Sequence, residues 1–298
     1  MTKAAHIIDP AVQGSKRKTY YSDILGRFRK HKLAMFGLII MTFIVAAVIL
    51  LPLLLGLDPY STSLRMPYTR PSKEFILGFD GIGRDNFARL VYGGRVSLTV
   101  GLLSTLVSIL IGVPLGLCAG YFRGWFEVIV MRLVDIFMSF PSMILILVLV
   151  SIIGPSMWSV TLVIGVMGWP QFARFIYGNV LSVRSKEYVE GAYAIGAKDY
   201  RILRDYILPN SIAPIFITAT FRTAGAILEE AALSFLGMGV QPPQASWGNI
   251  LYGAQSITVL ATRTWFWLPP GIMLALTVLS INFIGDGLRD ALDPKIKT

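Results

Sequence analysis

The chain has 298 residues, of which 54% are hydrophobic and only 15% are charged, a balance that excludes a disordered, coiled-coil or collagen-like protein. Its net charge of +10 would also suit a nucleic-acid-binding protein, but the basic residues gather at the ends of apolar runs, where orientation in a membrane explains them. We therefore predict a membrane protein with several spans and no nucleic-acid partner. One cysteine, Cys118, excludes an internal disulfide, and two histidines argue against a metal site.

The N-terminal segment 1–32 is a basic tail that we place in the cytoplasm. Within it, segment 20–32 carries Ile24, Leu25 and Phe28 at helical spacing, with basic residues on the other faces. This pattern predicts an amphipathic helix on the cytoplasmic leaflet of the lipid bilayer. The alternative is a solvated basic tail that only fixes the orientation of the protein.

Six apolar segments are long enough to span a bilayer, which takes roughly 20 residues in a helix. The predicted spans are 33–57, the stretch between Arg95 and Arg123, 126–153, 157–178, 211–236 and 264–284. The first span is too long, and begins too late, to be a cleaved signal peptide. The turn 154–156 separates the third span from the fourth, because proline ends a helix and glycine permits a tight turn.

Six spans place both termini on one side of the membrane, and the excess of Lys and Arg there predicts that this side is the cytoplasm. The expected domains are the tail 1–32, the first span 33–57, an extracytoplasmic loop 58–95, a five-helix core 96–285 and a cytoplasmic C-terminal tail 286–298. The outer loop carries several basic residues against this rule, which long loops obey poorly. Its length makes it a candidate docking surface for a substrate-delivery protein.

The cytoplasmic loop 179–210 is predicted to form two short helices. Ser185 is the expected N-cap of the first helix, and Gly196 is expected to end it in a left-handed conformation. Asp199 is then expected to cap the second helix, which Pro209 closes.

The first of these helices has the composition of a helix that enters a groove. Acidic residues favour its first turns, small residues keep it slim, and apolar residues provide contacts. The acidic residues are Glu187 and Glu190, the small residues are Gly191, Ala192 and Ala194, and the apolar residues are Tyr188, Ile195 and Tyr200.

Three charged residues, Arg222, Glu229 and Glu230, lie within the fifth predicted span. A charge at the centre of a bilayer costs about 2.5 to 3.5 kcal/mol on insertion scales and normally faces a cavity or a partner. These residues are therefore candidates for a translocation pathway or gate. We favour the alternative, an ion pair between Arg222 and Glu229, which lie two helical turns apart on one face.

Other polar and aromatic residues are expected at the membrane interfaces. Asp135 is expected to pair with Arg132, and Arg174 is expected to extend to the cytoplasmic headgroups. An outer aromatic belt is predicted from Trp247, Trp265 and Trp267. The loop 237–263 could instead hold a short helix.

Several catalytic motifs are missing from the sequence. It has no G-x-x-x-x-G-K-[ST] phosphate loop, so we expect no ATP hydrolysis by that route. Neither H-E-x-x-H nor G-x-S-x-G occurs, and no histidine lies within the spans to act as a base. We therefore expect no enzyme activity, which leaves transport, channel formation or receptor-like scaffolding.

Four ordered motifs of the sequence point to one family. The cytoplasmic loop follows the pattern E-A-A, three residues, G, nine residues and I-x-L-P, with matches at Glu190, Gly191, Ala192, Gly196, Leu208 and Pro209. Gly191 replaces an alanine of the pattern and Tyr206 replaces its isoleucine. The other motifs lie at 77–85, with Phe79 in place of threonine, at 230–248 and at 285–294. Together these motifs resemble the membrane subunits of ATP-binding-cassette (ABC) importers of the dipeptide, oligopeptide and nickel permease family.

This resemblance implies an all-α fold of the type I ABC importer permease in a bacterial cytoplasmic membrane. It implies that 187–196 is the coupling helix that docks on the ATPase. The implied partners are a second permease subunit, two ATPase subunits that hold ATP and Mg, and an extracytoplasmic solute-binding protein. No cofactor is expected in this chain. The function that we expect from this resemblance is one half of the permease of an ATP-driven importer of dipeptides or oligopeptides. An importer of nickel chelates is the alternative, because the family also carries nickel chelates and some sugars.

Two other classes of function are open alternatives at this point. A stand-alone ion-coupled secondary transporter would use Arg222, Glu229 and Glu230, but the six spans show no clear inverted repeat. An intramembrane enzyme would need a nucleophile and a base that the sequence does not display.

Overall fold

A computed structural model describes residues 20–63 and 67–292, and its regular secondary structure is helical. The described helices are α1 (Tyr20–Lys30), α2 (Lys32–Leu55), α3 (Asn86–Phe122), α4 (Gly124–Ser139), α5 (Ser142–Ile153), α6 (Met157–Arg184), α7 (Glu187–Ala194), α8 (Asp199–Ile202), α9 (Leu208–Phe235), α10 (Trp247–Tyr252), α11 (Ile257–Thr262) and α12 (Thr264–Leu292). A π-helical turn, Leu203–Ile207, joins α8 to α9, and a 3₁₀ turn, Gly253–Gln255, follows α10. Most of the predicted basic tail and the end of the C-terminal tail lie outside the described residues.

Among the described residues, five continuous helices are long and apolar enough to cross a membrane, namely α2, α3, α6, the run Asp199–Phe235 and α12. Helices α4 and α5 pass the same test only as a pair, and they are bent by 90°. The predicted span 126–153 is therefore not one continuous helix but a bent pair. Pro141 has no N–H for the helical ladder and holds Phe140 in an extended conformation, with ψ of 146°.

Helix α3 begins at Asn86, well before the predicted boundary at Arg95, because Asp85 caps it by accepting from the backbone N–H groups of Phe87 and Ala88. Arg95 therefore lies on the helix and not in the outer loop. Its guanidinium donates to the carbonyl oxygen of Val48 in α2. Pro52, four residues later, has no N–H to offer that carbonyl, and Arg95 supplies the missing donor.

The centre of the bundle is the pair α3 and α6, which approach closely along a row of glycines. A Cβ atom placed on Gly112 would lie 2.5 Å from the carbonyl oxygen of Trp169, and one on Gly116 would lie 2.5 Å from that of Ala173. Gly120 continues the row one turn further. This spacing is the small-x-x-x-small pattern that lets membrane helices pack backbone to backbone.

The predicted amphipathic helix is present as α1, which ends where His31 caps α2 by accepting from the N–H of Ala34. Phe28 of α1 lies against Gly287 near the end of α12. The other ring nitrogen of His31 lies 3.3 Å from a carboxylate oxygen of Asp290. The N-terminal helix is thus fixed to the last helix, and its contact with the lipid leaflet stays a prediction.

Candidate functional site

The predicted coupling helix is α7, and its ends differ in part from the prediction. Lys186, not Ser185, occupies the N-cap position, because the Ser185 hydroxyl donates to Ser182 at the end of α6. Gly196 adopts a φ of +76° after the helix, and its N–H donates to the carbonyl of Tyr193. The expected left-handed end at Gly196 is therefore confirmed.

The second half of the loop runs straight into the next span. Asp199 is the first residue of α8 and not its N-cap, which is Lys198. Pro209 was predicted to close the second helix, but it lies in the first turn of α9. Pro209 has no N–H to donate to the turn before it, and the π-helical turn Leu203–Ile207 carries the helix through this position. Residues 199–235 therefore form one helical run, which can transmit motion from the loop into the membrane.

Helix α7 has one buried face and one exposed face. Val189 and Ala192 are buried in a core cluster with the C-terminal halves of α3 and α6. Ala192 was expected to help α7 fit a groove on a partner, but it packs inside this chain. The exposed members of the predicted site are Glu187, Tyr188, Glu190, Gly191, Gly196, Leu208 and Pro209. Ile195 and Tyr200 extend this surface and are 83% and 71% exposed.

Tyr121, near the end of α3, fixes the loop to the bundle, a role that the sequence interpretation missed. Its hydroxyl donates to the Asp199 carboxylate at 2.6 Å, and its ring stacks on Tyr193 with centroids 6.2 Å apart. The Arg184 guanidinium lies 5.8 Å from the same ring. One buried side chain thus touches α6, α7 and α8, a contact that no sequence spacing reveals.

The three charged residues of the fifth predicted span all bond to other groups of this chain. Both Nη groups of Arg222 donate to the Glu229 carboxylate at 2.9 Å, and one of them also donates to the carbonyl of Ile164. The expected ion pair is therefore present. Glu230 is fully buried and accepts from the hydroxyls of Ser97 at 2.9 Å and Ser234 at 2.7 Å.

The expected pair of Asp135 with Arg132 is present, with a carboxylate oxygen of Asp135 lying 3.8 Å from a guanidinium nitrogen of Arg132. Arg174 also forms an ion pair with Asp135, a contact that the sequence interpretation missed. The prediction for Trp247 was wrong. Trp247 is fully buried, and its indole N–H donates to the carbonyl of Leu90, which excludes it from an aromatic belt.

The segment after α9 contains short helices, as the alternative prediction for the loop 237–263 stated. Short helices α10 and α11 occupy the loop 237–263, and α10 begins in a capping box between Ser246 and Asn249. Trp265 and Trp267, at the start of α12, are half-buried. Within residues 20–63 and 67–292, no group of three or more His, Cys, Asp or Glu side chains has the arrangement of a metal site.

Comparisons with known proteins place this geometry in a family. Residues 112–298 match the model of the binding-protein-dependent transport system inner membrane component, and residues 19–71 match the N-terminal transmembrane domain of oligopeptide transport permease C. A putative peptide permease protein of Brucella ovis is 45% identical over 269 residues, which cover 90% of this chain and 89% of the relative. The dipeptide transport system permease protein DppC of Alkalihalophilus pseudofirmus is 42% identical over 278 residues, 93% of this chain and 91% of the relative.

The fold has a counterpart among solved structures. A chain of the MetNI methionine ABC transporter, solved in inward-facing conformations, matches with a TM-score of 0.58 at 22% identity, covering 69% of this chain and 97% of that one. The predicted all-α permease fold and the resemblance to ABC importer subunits are thereby confirmed. The chain belongs to the family of binding-protein-dependent transport system inner membrane components, and it is a multi-pass permease subunit of an inner-membrane ABC transporter whose ATPase is a separate subunit.

Proposed function

We propose that this chain imports peptides as one half of a permease heterodimer, with two ATPase subunits and an extracytoplasmic solute-binding protein. The observation that carries the proposal is the two-faced helix α7, which buries Val189 and Ala192 in the bundle and exposes Glu187 and Glu190. A helix anchored on one side can carry force from a partner on the other. The relatives that are named as peptide or dipeptide permeases support peptides as cargo.

The mechanism follows from the connections of the loop. When ATP closes the two ATPase subunits, they push on the exposed face of α7. The push passes through the Tyr121–Asp199 contact into α3 and through the run Asp199–Phe235 into the membrane. The spans then open outward, and hydrolysis resets them. ATP and Mg are held by the ATPase subunits, and this chain supplies the mechanical transmission.

Cargo and partners are tested by purifying the tagged chain from native membranes in mild detergent. We expect a second permease and ATPase chains to co-purify, and the reconstituted complex with its binding protein to take up dipeptides or oligopeptides with ATP. Purification of this chain alone, with solute transport but no ATPase activity, would favour an ion-coupled transporter. Uptake of a nickel chelate without peptide uptake would contradict the peptide assignment.

The coupling role of α7 is tested with Glu190→Lys. A lysine there reverses a charge in the first turns of a helix that we place against the ATPase, so the attraction across the interface becomes repulsion. We expect ATP hydrolysis that no longer drives uptake, with normal membrane insertion, measured as peptide transported per ATP hydrolysed.

The matched control is Glu74→Lys, the same charge reversal at an exposed residue of the outer loop. This variant should retain the transport-to-ATPase ratio of the unmodified complex. An unchanged ratio in Glu190→Lys would refute the coupling role of Glu190.

The ion-coupled alternative has little support in the contacts of the fifth span. Arg222 and Glu229 neutralise each other, and Glu230 is closed off from solvent by Ser97 and Ser234. A carboxylate that binds and releases a coupling ion needs access to water on one side at a time. We therefore keep Arg222, Glu229 and Glu230 as pathway candidates only within an ATP-driven permease.

A further inference from the structure

A cavity of about 360 Å³ lies at the opposite end of the bundle from the coupling loop. Its walls come from the first outer loop, the start of α3, the segment after α9, helix α10 and the start of α12. The polar residues that matter are Asp80, Arg84, Arg89 and Asn249, and the apolar wall includes Ile250 and Phe266. Ligand sites of small molecules have this size and mixture of groups.

Asp80 fixes the position of the two arginines. One carboxylate oxygen accepts from the backbone N–H groups of Ile82 at 3.0 Å and Arg84 at 2.9 Å, which closes the turn. The other oxygen accepts from Nε of Arg84 at 2.7 Å and lies 3.6 Å from Nε of Arg89. The Asp80 carboxylate is thus occupied on both oxygens. It neutralises one of the two positive charges and holds each guanidinium by its Nε.

Arg89 lacks an acceptor for part of its guanidinium. Its side chain is only 4% exposed, and its contact with Asn249 is long, at 3.5 Å from Nη2. Its Nη1 group is buried without a hydrogen-bond partner among the residues that the structure describes. A guanidinium does not lose its proton in a protein, and an unpaired buried donor is costly. Because Arg89 lines the cavity, the cavity wall carries donor capacity and positive charge that the described residues do not satisfy.

The rim of the cavity adds to this positive charge. The Arg263 guanidinium lies 3.5 Å from the ring centroid of Tyr68, which lines the cavity. Membrane proteins usually concentrate Lys and Arg on the cytoplasmic side, whereas Arg84, Arg89 and Arg263 all lie at this cavity on the outer side. Two guanidinium forks beside an apolar wall suit a planar carboxylate attached to an organic group.

We propose that this extracytoplasmic cavity binds the carboxylate of a cargo peptide between Arg84 and Arg89, with its side chains against Ile250 and Phe266. The proposal rests on the proposed function, since it takes the cargo to be a peptide. Asp80 is the positioning residue of the site, and Arg84 and Arg89 are its ligand-binding residues.

The test uses the complete complex in lipid nanodiscs without the binding protein, which removes the other carboxylate-binding component. A fluorophore is placed on Ile82→Cys, a rim position that is 48% exposed, after Cys118→Ser has removed the native thiol. The probes are alanyl-alanine, its C-terminal amide and acetate. We expect a saturable fluorescence change with alanyl-alanine, and at least tenfold weaker responses to the amide and to acetate.

Variants then assign the response to the arginines. Arg84→Lys keeps the charge but loses the fork, and Arg89→Gln removes the charge; each should weaken alanyl-alanine binding at least tenfold in complexes that still assemble on a sizing column. The control Arg70→Gln removes an outer charge that stacks on Trp265 and does not line the cavity, and it should bind normally.

Several results would overturn the proposal. These are an equal response to the amide or to acetate, unchanged binding in both arginine variants, and no saturable response to alanyl-alanine. Weaker capture of the binding protein by the arginine variants, without any peptide response, would assign the cavity to a protein carboxylate instead. ATP-driven peptide uptake by the unmodified complex is measured in parallel. Normal uptake with a negative cavity result refutes only this inference, whereas absent peptide uptake refutes the proposed function.

Discussion

Arg222 and Glu229 form a charge pair that α9 can carry into the membrane because each neutralises the other. The Arg222 side chain is 6% exposed and that of Glu229 is 24% exposed, so neither charge is well hydrated. The carbonyl of Ile164 in α6 accepts a further hydrogen bond from Arg222. The pair thus joins α9 to α6 as well as satisfying itself.

Removal of one partner should therefore destabilise the protein more than removal of both. Glu229→Ala leaves a buried guanidinium without its carboxylate, a change that typically costs about 3 to 5 kcal/mol. We expect a clearly lower midpoint of thermal unfolding in detergent, and a smaller loss in the double variant Arg222→Met with Glu229→Leu. Asp58→Ala, at an exposed carboxylate, is the control. A loss in the double variant as large as that in Glu229→Ala would contradict this expectation.

At the scale of helices, the cytoplasmic loop and the bundle are linked through Tyr121. Tyr121→Phe removes the hydroxyl that donates to Asp199 but keeps the ring that stacks on Tyr193. A hydrogen bond to a carboxylate is worth about 1.5 to 3 kcal/mol, so the loop should lose its tie to α3 without unfolding. We expect fewer peptides transported per ATP hydrolysed in an assembled complex.

Tyr177→Phe is the matched control for this measurement. Tyr177 on α6 donates to Glu127 on α4, so it also forms a hydrogen bond between a tyrosine and a carboxylate, but its partner lies on a membrane helix and not in the loop. Its transport-to-ATPase ratio should stay normal. Equal losses in the two variants would mean that Tyr121 acts only as part of the general packing.

The glycine row of α3 allows a second prediction at the scale of helices, which concerns the packing of α3 against α6. Gly116→Ala places a methyl group 2.5 Å from the Ala173 carbonyl oxygen, so α3 and α6 must separate. Gly178→Ala on α6 meets nothing within 4 Å and should be neutral or stabilising by about 0.5 to 1 kcal/mol, because alanine favours the helix. Thermal unfolding of the two variants should move in opposite directions, and similar midpoints would contradict close α3–α6 packing.

For the whole molecule, the bent pair α4 and α5 decides the topology. If the pair crosses the bilayer together, the chain has six spans and α7 faces the cytoplasm with the ATPase. If the pair enters and leaves on one side, every later segment changes sides, and α7 would face outward. The path of the chain on the two sides of the bend at Pro141 thus determines on which side of the membrane the coupling loop lies.

Cysteine labelling distinguishes these two topologies. Ile195→Cys, in the coupling loop, and Ile257→Cys, in the outer segment, replace side chains that are both 83% exposed. In a Cys118→Ser background, a membrane-impermeant thiol reagent added to intact cells should label Ile257→Cys and not Ile195→Cys. Labelling of both should follow permeabilisation. The reverse pattern in intact cells would exclude a six-span topology with both termini in the cytoplasm.

Periodicity and local chemistry in the sequence determined much of this molecule. Apolar length located the five continuous helices and the bent pair, because backbone groups in lipid must be satisfied within a helix. It did not predict the bend at Pro141 or the start of α3 at Asn86. The i to i+7 spacing predicted the Arg222–Glu229 pair, and glycine predicted the left-handed turn at Gly196. The pattern around Glu190 predicted the coupling loop, and together with the three other motifs it indicated the family. Each of these features depends on residues that are close in the chain or on one helix face.

The tertiary structure decided what depends on contacts between distant residues. It buried Trp247 and Ala192, paired Arg174 with Asp135, and gave Tyr121 its place between three helices. A glycine row is visible in the sequence, but its partner helix is not. The Asp80 and Arg84 pairing is local, whereas the position of Arg89 beside Asn249 and the cavity arises only when the outer loop, α3 and α10 pack together. Contacts between residues that are distant in the chain follow no regular period, unlike contacts along one helix, so the sequence alone does not predict them.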